Sequence, residues 1–267
     1  MKNMHSGDKN PKGNKDSKKD SAIIIGRNPV LEALSSEQEI DTIYINGDGG
    51  TLAKIIAIGI QKGIVVKKVS TQKLASLCVN ANSESTNHQG VVATIAYAEY
   101  SSIDRMFEFA KEKDVPPFII IADGIEDTHN LGAIIRSAEA AGAHGLIIPK
   151  RRSASLNATV YKTSAGAASV LPIARVANIS SAIEGLKQRG MWIYGADMGG
   201  EQWDCVNYDG NVAIVIGSEG KGISRLVKEK CDFLVSLPML GRINSLNASV
   251  AAGIIMYEVV RQRIKTH

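Results

Sequence analysis

From Ala22 onward, short β-branched runs alternate with stretches whose apolar residues recur at helical spacing. In the first third the runs are AIII, DTIYI, IVVKKV and GVVATIA, separated by the helical patterns NPVLEAL, TLAKIIAIGIQKG and TQKLASL. They predict a small α/β unit that closes near Ala96. Asn28-Pro29 marks a helix start, with Asn28 as cap and Pro29 in the first helical position, where the missing N–H has no partner to lose. Residues 97–117 are polar, hold one helical pattern around Ile103 to Lys113, and end on Pro116-Pro117, where a helix cannot continue. A second series then begins. Its strands are FIIIAD, GLIIP, VLPIARV, MWIYGAD, NVAIVIG and DFLVSLP. Its helices run near Leu131–Ala141 and Asn157–Ala167, then through SSAIEGLKQRG and ISRLVKEK, and finally from about Leu246 to Arg263. Strands that alternate with helices predict a mostly parallel sheet covered on both faces, with ligand sites where loops leave the carboxyl ends of strands.

The expected organisation is a lysine-rich tail over 1–21, a first domain over 22–97, a linker over 98–115 and a second domain over 116–267. The net charge of +4 invites thoughts of nucleic acid, but the first 20 residues alone carry six lysines and three aspartates. The remainder holds 25 basic against 24 acidic residues, so an RNA partner must be argued from local patches. Cys78, Cys205 and Cys231 lie far apart without a CxxC pair, which suggests neither a disulfide framework nor a metal site. The longest apolar run, Ala248 to Tyr257, is too short to span a bilayer. The opening residues lack the apolar core of a secretory signal, and a cytoplasmic location is expected.

Three loops carry candidate chemistry. Asp123 to Gly132 leaves a buried strand and enters a helix that contains Arg136; Asn130 or Asp127 could cap that helix, and Arg136 could be a surface charge. Ile216 to Gly222, IGSEGKG, sets Glu219 between glycines after a second buried strand. It is neither a Walker loop nor GxGxxG, which excludes the ordinary nucleotide loops and disfavours a nicotinamide-dependent oxidoreductase. Leu237 to Ser249 enters the last helix, with Asn244 or Ser245 as cap and Asn247 in the first turn.

In this order, NLGAIIRSAEAAG, IGSEGKGIS and LPMLGRINSLNAS resemble the three signature motifs of the SpoU (TrmH) branch of the SPOUT superfamily of RNA ribose 2′-O-methyltransferases. IGRNPVLEAL and HQGVVA resemble the L30e-like RNA-binding domain of the bacterial 23S rRNA guanosine 2′-O-methyltransferases. The resemblance implies a C-terminal parallel-sheet domain with an α/β trefoil knot behind a small L30e-like domain, and a homodimer whose active site draws on both chains. It implies S-adenosylmethionine as cofactor, held by Gly217, Leu237 and Leu246 with Gly195, Ile216 and Ser245 nearby. It maps the catalytic set onto Asn130, Arg136, Glu219, Ser245 and Asn247, with no metal. Thr128 stands where the family usually has proline.

The expected reaction is methyl transfer to a ribose 2′-hydroxyl, with 23S rRNA guanosine favoured. A tRNA substrate and a non-catalytic ribosome-assembly factor are the alternatives. Arg136 is expected to clamp the neighbouring phosphate and stabilise the alkoxide, since a guanidinium is a poor base; Glu219 and Asn130 are expected to hold Arg136 and the motif loops in place. Arg27 and the Lys150-Arg151-Arg152 cluster are the candidate RNA contacts. With only 13 aromatic residues, base stacking is not expected to dominate recognition.

Overall fold

The computed structural model describes residues 23–36, 40–80, 87–95 and 99–265. The tail expected over 1–21 lies outside the described residues. The first sheet has four strands, β1 (Ile23–Ile25), β2 (Ile40–Ile45), β3 (Val65–Lys68) and β4 (Val91–Ile95), in the order β1-β4-β2-β3. Helices α1 (Arg27–Ser35) and α2 (Thr51–Gln61) bury Val30, Leu34 and Ile55 on one face, while α3 (Thr71–Asn80) places Leu74 and Cys78 against Val92 on the other. The start of α1 differs from expectation. Its cap is Gly26, with φ near 95° and no side-chain hydrogen bond, so Pro29 is the third helical residue and Asn28 the second. Proline is tolerated there because the N–H groups of the first turn have no intrahelical acceptor.

The second sheet has six parallel strands: β5 (Phe118–Asp123), β6 (Gly145–Pro149), β7 (Ile173–Val176), β8 (Trp192–Gln202), β9 (Val212–Gly217) and β10 (Phe233–Ser236), ordered β10-β8-β9-β5-β6-β7. Alternate residues of FIII and VAIVI enter different cores, which is why these strands are apolar without a break. Phe118, Ile120, Ile214 and Ile216 pack under α5 (Thr128–Ala140), α6 (Ala158–Thr163) and α9 (Ala248–Lys265). Ile119, Ile121 and Val215 pack under α4 (Ile103–Glu112), α7 (Ile179–Gln188) and α8 (Arg225–Lys228). The stretch expected as a linker therefore carries α4, whose Met106 joins this second core and whose Ala110 is also buried. His144, just before β6, accepts the Phe118 N–H through Nδ1 at 2.9 Å; burial, with Lys113 and Arg263 nearby, pushes its imidazole down to about 4.

A buried ion pair ties the two sheets together. Arg175 of β7 donates at 2.7 Å to Asp41 of β2, a carboxylate only 2% exposed. Tyr100, its ring beneath the Arg175 guanidinium, donates its hydroxyl to the same carboxylate at 2.9 Å and accepts from the Leu156 N–H. Thr42 donates to the other oxygen at 2.8 Å. Burial and the adjoining Asp41 charge push the Tyr100 phenol up, which keeps its proton on. Lys150 adds a second tie, donating to the Gly63 carbonyl at 3.2 Å.

An ion pair with its remaining lone pairs satisfied is strongly missed when one partner is removed, because the other charge stays buried. Arg175→Ala is expected to lower the unfolding free energy by about 3 kcal/mol in a denaturant titration. Lys68→Ala, which breaks the exposed pair with Asp48, is expected to change it by less than about 0.5 kcal/mol.

Candidate functional site

Strand register sets the site. Asp123, last in β5, pairs directly with Gly217, last in β9, so the two loops that follow leave the sheet side by side at its carboxyl edge. Asp123 then reaches across, accepting the Ser224 N–H at 2.7 Å. Asp123 opens the first candidate loop but lies outside the catalytic set that the resemblance implies. Its signal in the sequence is a lone carboxylate closing an otherwise apolar strand.

Helix α5 begins at Thr128, three residues earlier than its apolar spacing suggests, with Asp127 as cap accepting the Asn130 N–H at 2.8 Å. Thr128 thus occupies the first helical position, where proline is well suited; the departure from the usual proline gives up a pre-set φ and leaves the cap in place. At the start of α9, Asn247 is the cap, in place of Ser245 or Asn244. Its Oδ1 accepts the Ser249 N–H at 2.9 Å and the Val250 N–H at 3.3 Å.

The two helix starts meet at one carboxylate. Asn130 Nδ2 donates to Glu219 Oε1 at 2.9 Å, Asn247 Nδ2 donates to the same oxygen, and the Ala248 N–H approaches it at 3.4 Å. Asn247 Nδ2 also donates to Asn130 Oδ1 at 2.8 Å, closing the triangle. Each of the three motif loops contributes one member. A negative charge here also faces the amino ends of α5 and α9, where the helix dipoles favour it.

Other expected residues fall differently. Arg136 is exposed on α5, a turn and two-thirds beyond Asn130, and neither Asn130 nor Glu219 holds it; their amide and carboxylate bonds go to the third loop instead. Ser245 and Leu246 lie in an exposed stretch. Among the described residues, no backbone hydrogen bond engages Met239 to Leu246, and Leu240 and Ile243 extend into solvent at 98% and 76% exposure. Gly195 and Ile216 belong to the adjoining strands β8 and β9, and Leu237 directly follows β10. A side chain at Gly195 would run into Cys231, Ile223 and Leu234, so its identity answers to packing. Burial pushes the Cys231 thiol up to about 12, leaving it protonated there.

The basic residues separate as well. Lys150 is committed to Gly63, whereas Arg151 and Arg152 line a cleft of about 790 Å3 at the carboxyl ends of β5, β6 and β9. Arg27 is half-buried, with Nε donating to the Gln89 carbonyl at 3.0 Å. Among the described residues, no cluster of three or more His, Cys, Asp or Glu side chains could hold a metal ion.

Comparison with known proteins gives two family matches: SpoU rRNA Methylase family over residues 117–257, and RNA 2′-O ribose methyltransferase substrate binding over residues 23–101. A Bacillus subtilis protein named as a TrmH family tRNA/rRNA methyltransferase, YacO, is 46% identical over 244 residues, 90% of this chain and 95% of the relative. Among solved structures, the SpoU methyltransferase AviRb from Streptomyces viridochromogenes in complex with the cofactor AdoMet is 24% identical. It matches with a TM-score of 0.56 over 95% of each chain. The A. aeolicus TrmH/SpoU tRNA modifying enzyme is 29% identical, with a TM-score of 0.53 over 61% of this chain and 84% of its own.

The loop that carries Glu219 depends on Gly217. A Cβ there would fall 2.0 Å from the Gly222 carbonyl carbon, so the loop can fold back only if this position lacks a side chain. Gly217→Ala is expected to destabilise the protein by about 2–3 kcal/mol in a denaturant titration, in the range of overpacking. Gly241→Ala, where a Cβ meets nothing within 4 Å, is expected to stay within about 0.5 kcal/mol of the parent.

Proposed function

Because this chain belongs to the SpoU rRNA Methylase family, we propose that it transfers the methyl group of S-adenosylmethionine to a ribose 2′-hydroxyl of structured RNA, a guanosine of 23S rRNA in particular. The observation that carries the reading is the convergence of Asn130, Glu219 and Asn247, one from each motif loop, on a single point at the sheet's carboxyl edge.

The residues fit the cofactor. Backbone N–H and C=O groups of Met239 to Leu246 are unpaired within the described residues, and the side chains of Leu240, Ile243 and Leu246 supply apolar surface beside them. Such a stretch suits a ligand with both a polar edge and an apolar body, since unpaired backbone groups seek partners. Gly217, Leu237, Ser245 and Leu246 would hold it, with Gly195 and Ile216 beneath; a trefoil knot through this loop belongs to the same proposal. The bound cofactor supplies an electrophilic sulfonium methyl. The ribose oxygen forms the new C–O bond as the S–C bond breaks, S-adenosylhomocysteine leaves, and the hydroxyl proton passes to the adjacent phosphate or to water.

The chain's own groups align this displacement. Ser245 and Asn247 position the 2′-hydroxyl, while Glu219 and Asn130 fix Asn247. Arg136 clamps the neighbouring phosphate and stabilises the developing alkoxide. Its exposed position on α5 suits action across a homodimer interface. The same layer carries an exposed stripe on α9, Val250, Tyr257 and Ile264, at seven-residue spacing, which suits a helix–helix contact between subunits. The domain of 22–97 docks RNA, with Arg27 on a phosphate, and the catalytic domain of 116–267 adds Arg151 and Arg152, while Lys150 stays with Gly63. We place the reaction in the cytoplasm.

The full-length protein, given labelled S-adenosylmethionine and unmodified 23S rRNA, is expected to incorporate label as a 2′-O-methylguanosine. Arg136→Ala should lower turnover by about a hundredfold or more while cofactor affinity stays within about twofold. Near-normal turnover would remove Arg136 from the mechanism. Label in tRNA alone would move the substrate to tRNA, and tight RNA binding without incorporation would point to an assembly factor.

A further inference from the structure

The cleft beside the Asn130–Glu219–Asn247 triangle shares Asn130 and Glu219 with it, and Glu126 and Lys221 on its wall have no role in the reading above. Its volume of about 790 Å3 lies within the roughly 300–1,000 Å3 of small-molecule sites. Ile125, Ile179 and Val227, together with Pro149, give it an apolar floor. Of the seven charged side chains that line it, Glu126, Arg151, Arg152 and Lys221 have no hydrogen-bond or ion-pair partner among the described residues. The other carboxylates on its wall are engaged: Asp123 accepts from Ser224, Asp127 caps α5, and Glu219 holds the two asparagines.

Asn130 and Glu219 belong both to the triangle and to the cleft wall. The segment bearing Arg151 and Arg152 is tied to the first domain on either side, by Lys150 to Gly63 and by Leu156 through Tyr100 to Asp41. The cleft wall that bears Arg151 and Arg152 is thus fixed against the first domain.

We propose that the cleft receives the base of the nucleotide whose ribose is methylated, with Glu126 reading a guanine edge and Arg151, Arg152 and Lys221 on the flanking phosphates. The proposal rests on the RNA methyltransferase reading above. A base extracted from its stack needs an apolar slot and hydrogen bonds to its exposed edge. Guanine alone among the four bases offers two adjacent N–H donors, N1–H and N2–H, to a carboxylate, which accepts only. Adenine and cytosine set a donor beside an acceptor, and uracil flanks its donor with two acceptors; each turns a lone pair toward Glu126.

The test is an amide chemical-shift titration of the full-length protein with GMP and with AMP. GMP is expected to shift the amides of Glu126, Ser180 and Lys221 and to bind at least fivefold more tightly than AMP. Glu126→Gln should bring the two within twofold of each other. Changing Arg151 and Arg152 together to Ala should weaken both nucleotides at least fivefold and leave their ratio intact. Equal affinities in the parent, a preserved preference in Glu126→Gln, shifts confined to other residues, or displacement of GMP from these amides by S-adenosylmethionine would each overturn the assignment. Methyl incorporation into rRNA is measured in parallel. Incorporation without a GMP response in the cleft overturns the cleft assignment alone. A GMP response without incorporation supports the cleft as a nucleotide site and overturns the methyl-transfer reading.

Discussion

The site depends on one carboxylate oxygen, Glu219 Oε1, that accepts from Asn130, Asn247 and the Ala248 N–H. Asn130 and Asn247 are 117 residues apart in the chain, yet both stand in the first turn or cap of a helix and both point their amides at the same acceptor. A charged acceptor with several amide donors makes stronger bonds than neutral pairs do, and the amino ends of α5 and α9 favour the charge further. Without it, two asparagine side chains would lose their shared partner, and the starts of α5 and α9 would keep only their local caps.

Everything that places Glu219 is sheet geometry and sterics. Parallel pairing of β5 with β9 fixes Asp123 beside Gly217, and the missing side chain at Gly217 lets the following residues turn back until Ser218 and Gly222 exchange backbone hydrogen bonds. The Asp41–Arg175–Tyr100 cluster does for the two sheets what Glu219 does for the loops: one buried carboxylate, several donors, one relative placement. Glu219 also lines the cleft, where Glu126, Arg151, Arg152 and Lys221 keep charges without partners among the described residues. Rigid anchors with free charge beside them suit a surface that holds a flexible polyanion in one orientation.

The fold was largely legible because its signals are local. Buried parallel strands such as FIIIAD and VAIVIG are unbroken apolar runs, and the helices between them carry regular spacing. Caps were less legible. Asn28, Asn244, Ser245 and Asn247 are all competent caps by type, and only packing decided for Gly26 and Asn247. The separation of Lys150 from Arg151 and Arg152 was hidden too, since three adjacent basic residues look like one patch until the fold sends the first toward Gly63. Asp41 and Arg175 are 134 residues apart, and no short-range pattern announces a pair of that kind. The motif residues Asn130, Glu219 and Asn247 could be named from their loops, while their mutual contact, and Arg136 standing apart from it, required coordinates.

A double-mutant cycle between Glu219 and Asn247 addresses the shared-acceptor claim most directly. Unfolding free energies of Glu219→Ala, Asn247→Ala and the double variant are predicted to depart from additivity by about 1 kcal/mol or more, as residues in one hydrogen-bonded network do. Changes that add to within about 0.3 kcal/mol would contradict the account, because they would mean that the two loops are stabilised independently.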